Sequence, residues 1–340
     1  MAKKADSTTV EAAGREVTIT SPTKVYFEEH GDTKMDLVEY YLAVEEPLMR
    51  WIKGRPLLLE KYPQGASGPS FFQKRIPDSA PDWLDRTEVA TPNGTTSMAL
   101  VASDIAHILW AVNQGCLGFH VWPSLAADPG HADELRIDLD PSPGTTFDDI
   151  REAVREVRVL LGDHGLVGHP KTTGNRGVHI YVHCTPKWDS YDVRGAAIVL
   201  ARELAARRPD LLTEAWWKEE RGSRVFIDFN QNAPHKTVFG AWSARARVGA
   251  QVSTPFEWDD IDDVVPDELT IRSVPARVAE RGDAWATYGD DLQDLGPLVA
   301  AYHEGLDAGG FDAPWPPVYP KMPHEPPRVA PSRAKKAATK

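Results

Sequence analysis

The stretch Glu134-Leu135-Arg136-Ile137-Asp138-Leu139-Asp140-Pro141 constrains this chain more than any other. With the period of two of a β-strand, Leu135, Ile137 and Leu139 face a core while Arg136, Asp138 and Asp140 face the other way. Pro141 lacks the N–H a ladder needs and ends the strand. Two carboxylates one above the other repel, and a fold accepts them cheaply when a cation sits between them. Hard oxygen ligands of this kind suit Mg²⁺ or Mn²⁺. The alternative is a solvated acidic strand end, and the rest of the chain decides between the two.

A length of 340 residues allows one large domain or two smaller ones, each able to bury a core. Hydrophobic and charged contents of 41% and 26% are those of a soluble globular protein, with no apolar run of transmembrane length. The N-terminus, Met1 to Gly14, is polar and carries no signal-peptide core. Cys116 and Cys184 show no metal-ligand spacing and point to a reducing, cytoplasmic compartment. A net charge of −12 argues against indiscriminate nucleic-acid binding but leaves room for a local basic groove. Positive charge does cluster, at Lys24 and Lys34, Lys74-Arg75, Arg221 and Arg224, Lys236, and Arg245 with Arg247.

In chain order, residues 1–14 read as a disordered leader and Val17–Thr20 as a short strand. Leu37, Tyr40, Tyr41, Val44, Leu48 and Trp51 predict a helix over 36–51, kinked or broken in its last turn by Pro47. Leu57-Leu58-Leu59 reads as a buried strand. A Pro- and Gly-rich loop, 62–70, then delivers Phe71-Phe72, of which one is free to stack on a base. Helices are predicted over 104–114, 148–161, 193–204 and 274–281, and strands over 118–123, 134–140, 178–182 and 225–229. A single catalytic domain is expected over 15–300, followed by a Pro-rich, basic and disordered tail over 310–340.

Two further stretches carry chemistry. In Lys171-Thr172-Thr173-Gly174-Asn175-Arg176-Gly177-Val178-His179 two glycines bracket a small polar loop whose N–H groups and hydroxyls can hold phosphate oxygens. In Arg224-Val225-Phe226-Ile227-Asp228-Phe229 the residues Val225, Ile227 and Phe229 face inward and set Asp228 on the polar face. Asp138, Asp140 and Asp228 would thus form a three-carboxylate site for two divalent ions. Thr173, Gly174, Arg176, Arg245 and His179 would meet triphosphate oxygens. Two metals about 3.5–4 Å apart stabilise both the attacking and leaving oxygens of an in-line phosphoryl transfer. The chemistry this suggests is attack of a primer 3′-hydroxyl on the α-phosphate of a nucleoside triphosphate, and no Walker A motif is needed or present.

The ordered set Leu-Arg-Ile-Asp138-Leu-Asp140-Pro, Thr-Thr173-Gly-Asn-Arg-Gly-Val-His179 and Arg-Val-Phe-Ile-Asp228-Phe-Asn-Gln-Asn resembles the polymerase domain of bacterial ligase D. That family lies in the archaeo-eukaryotic primase superfamily, and the similarity runs from about Val17 to Asp290. It implies an α+β fold with a primase-type catalytic core, mixed and antiparallel sheets flanked by helices. With no ligase or nuclease module in the sequence, a stand-alone relative is expected. The family's roles imply that Asp138, Asp140 and Asp228 hold two Mn²⁺ (or Mg²⁺) ions. Phe72, His120, Thr173, Gly174, Arg176, Gln231 and Arg245 would contact the NTP or dNTP. Thr173 stands where a serine is usual and Arg176 where a lysine is usual. Lys24 and Lys34 match lysines that hold a 5′-phosphate at a gap or break, and Phe71 and Arg221 match residues near template and primer. Glu60, beside Lys61, departs from the family, since some relatives carry a basic residue there.

The resemblance implies a DNA-dependent primase-polymerase of DNA repair that prefers ribonucleotides and acts in end joining or short gap filling. Its partners would be DNA bearing a 5′-phosphate, a separate DNA ligase and an end-binding protein, in the nucleoid and away from any membrane. A two-metal nuclease or phosphodiesterase would use the same carboxylates without needing the phosphate loop. A non-catalytic module binding 5′-phosphorylated ends would have no need of three mutually repelling carboxylates.

Overall fold

The protein is described by a computed structural model covering residues 6–330 and 332–333. Residues 1–5 of the leader and Lys335, Lys336 and Lys340 of the tail lie outside the described residues. The chain divides into two compact units that interleave in sequence. The first holds the residues up to Gly130 with His169–Asn175 and Thr237–Asp291; the second holds His131–Gly168, Arg176–Lys236 and the residues from Leu292 on. No helix among the described residues is long and apolar enough to cross a membrane.

The first unit is built on an antiparallel sheet. Its strands run Val238–Phe239, Cys116–Val121, Pro56–Lys61, Thr96–Val101, Arg86–Ala90, and Phe71–Gln73 pairs with Pro56–Lys61. Leu57, Leu59, Leu117, Phe119 and Val121 are buried in it. The leader is not disordered throughout: Ser7–Ala12 pairs antiparallel with Arg15–Thr20, because the alternation that buries Val17 and Ile19 leaves a strand edge for it to cover. The helix expected over 36–51 is two helices, Lys34–Ala43 and Glu45–Ile52, broken at Val44. Pro47 acts four residues upstream of itself: its ring crowds the carbonyl of residue 43, where the first helix stops, and its missing N–H falls harmlessly in the first turn of the second. Thr33 and Asp36 close a reciprocal capping box at the start of the first helix.

In the second unit the acidic strand, Ala132–Pro141, lies between Val178–Trp188 and Val225–Ile227, antiparallel to both. Leu212–Thr213 joins Val225–Ile227 in parallel, so this sheet is mixed. Helices Phe147–Asp163 and Ser190–Arg207 pack beside it, capped by Thr146 and Asp189. Gly195, in the interior of the second helix, admits Tyr302 of helix Gly296–Asp307; a Cβ there would lie 2.4 Å from the Tyr302 ring.

The Pro-rich segment expected to be disordered is instead packed over 312–328. Arg194, fully buried, pairs with Asp312 at 2.9 Å, and its guanidinium lies 3.8 Å from the centre of the Trp315 ring. Trp315 donates to Asp312 at 2.6 Å, and Glu325 accepts from the Trp315 backbone and from Arg328. A buried arginine needs a carboxylate and a flat apolar partner, and this segment supplies both.

Candidate active site

Register places the carboxylates. Asp138 stands opposite His179 on one neighbour, while the pairs Leu139–Ile227 and Asp140–Phe226 on the other make Asp228 the next position opposite Asp138. Directly opposed residues share a face of a sheet. The Asp228 N–H donates to the Asp138 carbonyl at 2.9 Å as the last rung of that ladder. The strand expected through Phe229 ends two residues early, at Ile227, because the Asp228 carboxylate captures the Asn230 N–H at 3.0 Å and turns the chain into a short 3₁₀ helix, Phe229–Asn232. The Asn232 side chain then takes over the ladder, accepting from the Arg136 N–H at 2.8 Å and donating to its carbonyl at 2.7 Å.

One oxygen from each of Asp138, Asp140 and Asp228 lies within 4.8 Å of the others. Burial first, then the charges of Asp138 and Asp140, push the Asp228 carboxyl up to about 7. Three converging carboxylates, one of them pushed toward its neutral form by burial and by the other two, fit a divalent cation with hard oxygen preference. Gln231 donates to the Asp228 carboxylate at 2.9 Å. The guanidinium of Arg221 lies 3.4 Å from the centre of the Phe226 ring and donates to the carbonyls of Ala215 and Trp216. Burial lowers the Arg221 pKa, and the charges of Asp228 and Asp140 oppose that shift. His179 lies 3.2 Å from Asp138, as the strand register dictates. Arg176 is exposed on the same unit.

The first unit gathers the aromatic and phosphate-loop residues. Phe71 and Phe72 are 51% and 54% exposed, so both rings rather than one are open to stacking. Phe72 meets His120 edge-on at 5.4 Å, His120 meets Phe239 at 5.3 Å, and the Arg245 guanidinium lies 3.7 Å from the centre of the Phe239 ring. Arg245 also donates to the Thr173 carbonyl at 2.9 Å, and the Thr173 hydroxyl accepts from the Asn175 N–H. Gly174 adopts φ +71°, and a Cβ there would lie 2.7 Å from Arg245 Cγ and 3.1 Å from the Ser253 nitrogen. Only glycine fits both the backbone and the space.

Lys24 and Lys34 come together as a pair, the Lys34 N–H donating to the Lys24 carbonyl at 2.8 Å. Lys34 is buried, with its ammonium donating to Thr20 and Asn113 oxygens. Burial, then repulsion from Lys24, lowers its pKa to about 8. Lys24 is half-buried and donates to the Pro63 carbonyl, which leaves two more N–H groups on its ammonium.

Two features escape a reading of the sequence. Lys171 is wholly buried beneath the phosphate loop, donating to the Phe239 carbonyl at 2.9 Å and the Ser253 hydroxyl at 2.6 Å. Glu60 faces His120 at 3.3 Å and accepts from the Tyr62 hydroxyl at 2.6 Å. A charged residue at a core position of a strand was the available signal for Lys171. For Glu60 nothing short of the register between two strands sixty residues apart would serve.

The chain is similar to known proteins. The family described as LigD, primase-polymerase domain, matches residues 33–285. The multifunctional non-homologous end joining DNA repair protein LigD of Mycobacterium tuberculosis is 36% identical over 283 residues, covering 80% of this chain and 37% of its own. The bifunctional non-homologous end joining protein LigD of Bacillus subtilis is 30% identical over 287 residues, covering 84% of this chain and 46% of its own. The chain thus spans less than half the length of either relative. The structure of the polymerase domain of Mycobacterium tuberculosis ligase D in complex with DNA superposes with a TM-score of 0.76 at 33% identity, covering 82% of this chain and 99% of that one. The α+β fold is the primase-type fold expected from the motifs. A matched family model over most of the chain, a shared fold and three carboxylates in register place the chain in the LigD primase-polymerase family of nucleotidyltransferases.

Proposed function

We propose that this chain extends a primer 3′-hydroxyl by template-directed addition of nucleotides, ribonucleotides preferred, at short DNA gaps or paired broken ends bearing a 5′-phosphate. The observation that carries the reading is the convergence of Asp138, Asp140 and Asp228 within 4.8 Å on register-paired strands. Two Mn²⁺ or Mg²⁺ ions held there would neutralise the phosphate charge and favour the attacking alkoxide. In the second unit, Gln231 holds the Asp228 carboxylate in place, Arg221 adds positive charge near Asp228 and Asp140, and Arg176 reaches for phosphate. In the first unit, Thr173, the Gly174 backbone and Arg245 cradle the triphosphate, and Phe72 with His120 receives the nucleotide. Phe71 stacks near the template, and Lys24 beside Lys34 holds the 5′-phosphate. Both relatives named above act in non-homologous end joining, and the solved neighbour is bound to DNA, which supports a repair setting with a separate ligase and an end-binding protein in the nucleoid.

The test is extension of a labelled primer–template with Mn²⁺ and either rNTPs or dNTPs. Templated addition, faster with rNTPs, is expected. A shortened primer would mean a nuclease, and DNA bound but unchanged would mean an end-binding module.

A further inference from the structure

The aromatic–basic cluster contains a carboxylate with no place in the chemistry above. Glu60 lies on strand Pro56–Lys61, between the strand carrying His120 and the edge strand carrying Phe72. Leu58 is the ladder partner of His120 and Glu60 that of Phe72, so residues 58 and 60 of one strand bracket the cluster. Both carboxylate oxygens are engaged. One accepts from the Tyr62 hydroxyl at 2.6 Å, and the other faces His120 Nε2 at 3.3 Å. Neither Glu60 nor His120 is more than a fifth exposed.

The rings around His120 and the carboxylate do different things. Phe72 and Phe239 meet the imidazole at 82° each, which fixes where the ring lies. Carbon edges do not choose which nitrogen carries the proton. An ionised carboxylate does, because it can only accept, and Nε2 must then be the donor. The charged groups felt by His120 are Glu60, Arg245 and Lys171. Burial, with the two cations, keeps the imidazole below its usual range despite Glu60. Burial alone would raise the Glu60 pKa, but the hydrogen bonds from His120 and Tyr62, with the charge of Arg245, oppose it and hold the carboxyl below its usual value. Ionised Glu60 beside neutral His120 is the pairing in which one proton satisfies both.

We propose that Glu60 is a positioning residue that holds His120 as the neutral Nε2–H tautomer, leaving Nδ1 to accept a hydrogen bond from the bound nucleotide. The nucleotide half of this proposal rests on the polymerase reading; the tautomer half does not. Through Tyr62, at the base of the loop that leads to Phe71 and Phe72, the same carboxylate also ties the stacking strand to the histidine.

The experiment is a long-range ¹H–¹⁵N spectrum of the full chain with ¹⁵N-labelled histidine, the His120 signals being assigned by their loss in His120→Ala. Wild type should show Nε2 protonated and Nδ1 bare near neutral pH. Glu60→Gln, which offers either an oxygen or an NH₂ to the ring, should give a mixture of tautomers. It should also raise KM for the nucleotide by about tenfold, the order expected for an outer-shell partner, with a smaller fall in kcat. Glu60→Asp, which keeps the charge, should restore the wild-type tautomer and part of the KM. An Nδ1–H tautomer in wild type, or a Glu60→Gln protein unchanged in both tautomer and KM, would overturn the proposal. Should Glu60→Gln fail to fold, Glu60→Asp and the wild-type spectrum still decide it. A wild type that adds no nucleotide yet shows the expected tautomers would sink the polymerase reading, and with it the nucleotide role, while leaving the hold of Glu60 on His120 intact.

Discussion

Burial and the neighbouring charges of Asp138 and Asp140 raise the Asp228 carboxyl, and that shift makes the metal-free protein sensitive to pH. A carboxyl whose pKa is raised to about 7 in the folded state keeps its proton where the unfolded chain has lost it. Between about pH 4 and pH 7 the folded state therefore binds more protons, and this group's contribution to stability falls as pH rises through that window. Thermal melts of metal-free protein should show it. Adding Mn²⁺ should raise Tm more at pH 7.5 than at pH 5.5, and an equal gain at both values would contradict the assignment. Asp228→Asn should remove the pH dependence, raise Tm of the metal-free protein at pH 7.5, and lower nucleotide addition by at least about a hundredfold, since loss of an outer-shell partner alone reaches that size. The three aspartates were legible in the sequence because Asp138 and Asp140 lie in an alternating strand and Asp228 directly follows one, where a period of two separates polar from core face. Lys171 and the Glu60–His120 pair were not, because their partners are set by register and by packing between distant segments.

Elements were legible where helical apolar periodicity ran for at least two turns. The helix expected over 274–281 has those bounds, and those expected over 148–161 and 193–204 are extended at each end to their caps. Boundaries set by side-chain competition were not legible: Asp228 ends its strand by bonding Asn230, and Pro47 breaks a helix at Val44. Two glycines test how tightly the elements meet. Gly174→Ala adds a Cβ 2.7 Å from Arg245 Cγ at a φ of +71°, costing about 1–2 kcal/mol in backbone strain alone and displacing Arg245. Its nucleotide KM should rise while metal binding by the carboxylates stays as in wild type; unchanged KM would separate the loop from the nucleotide. Gly195→Ala should gain about 1 kcal/mol of helix propensity yet lose more, because the methyl would lie 2.4 Å from the Tyr302 ring. A more stable Gly195→Ala protein in urea titration would refute that packing.

The whole molecule shows where composition misleads. The Pro-rich stretch after Gly309 has the makeup of a linker, yet Asp312 and Trp315 complete the surroundings of a buried arginine. Arg194, mid-helix and 0% exposed, was the overlooked signal, since a buried guanidinium demands a partner from somewhere. Asp312→Ala should leave that charge uncompensated and cost about 3–5 kcal/mol in denaturant unfolding, against near zero for an exposed acid. The two interleaved units could not be read from the sequence, because each is assembled from three separate segments of the chain. What the sequence did carry to this scale is the order of three motifs, and their order sufficed for the family.

The central claim is tested most directly on a one-nucleotide to three-nucleotide gap with and without a downstream 5′-phosphate, supplied with Mn²⁺ and rNTPs, comparing wild type, Asp138→Ala and Lys24→Ala. The account predicts templated filling by wild type that is faster on the phosphorylated gap, none by Asp138→Ala, and filling by Lys24→Ala that no longer distinguishes the two gaps. Filling by Asp138→Ala at the wild-type rate, or a wild type that only shortens the primer, would contradict it.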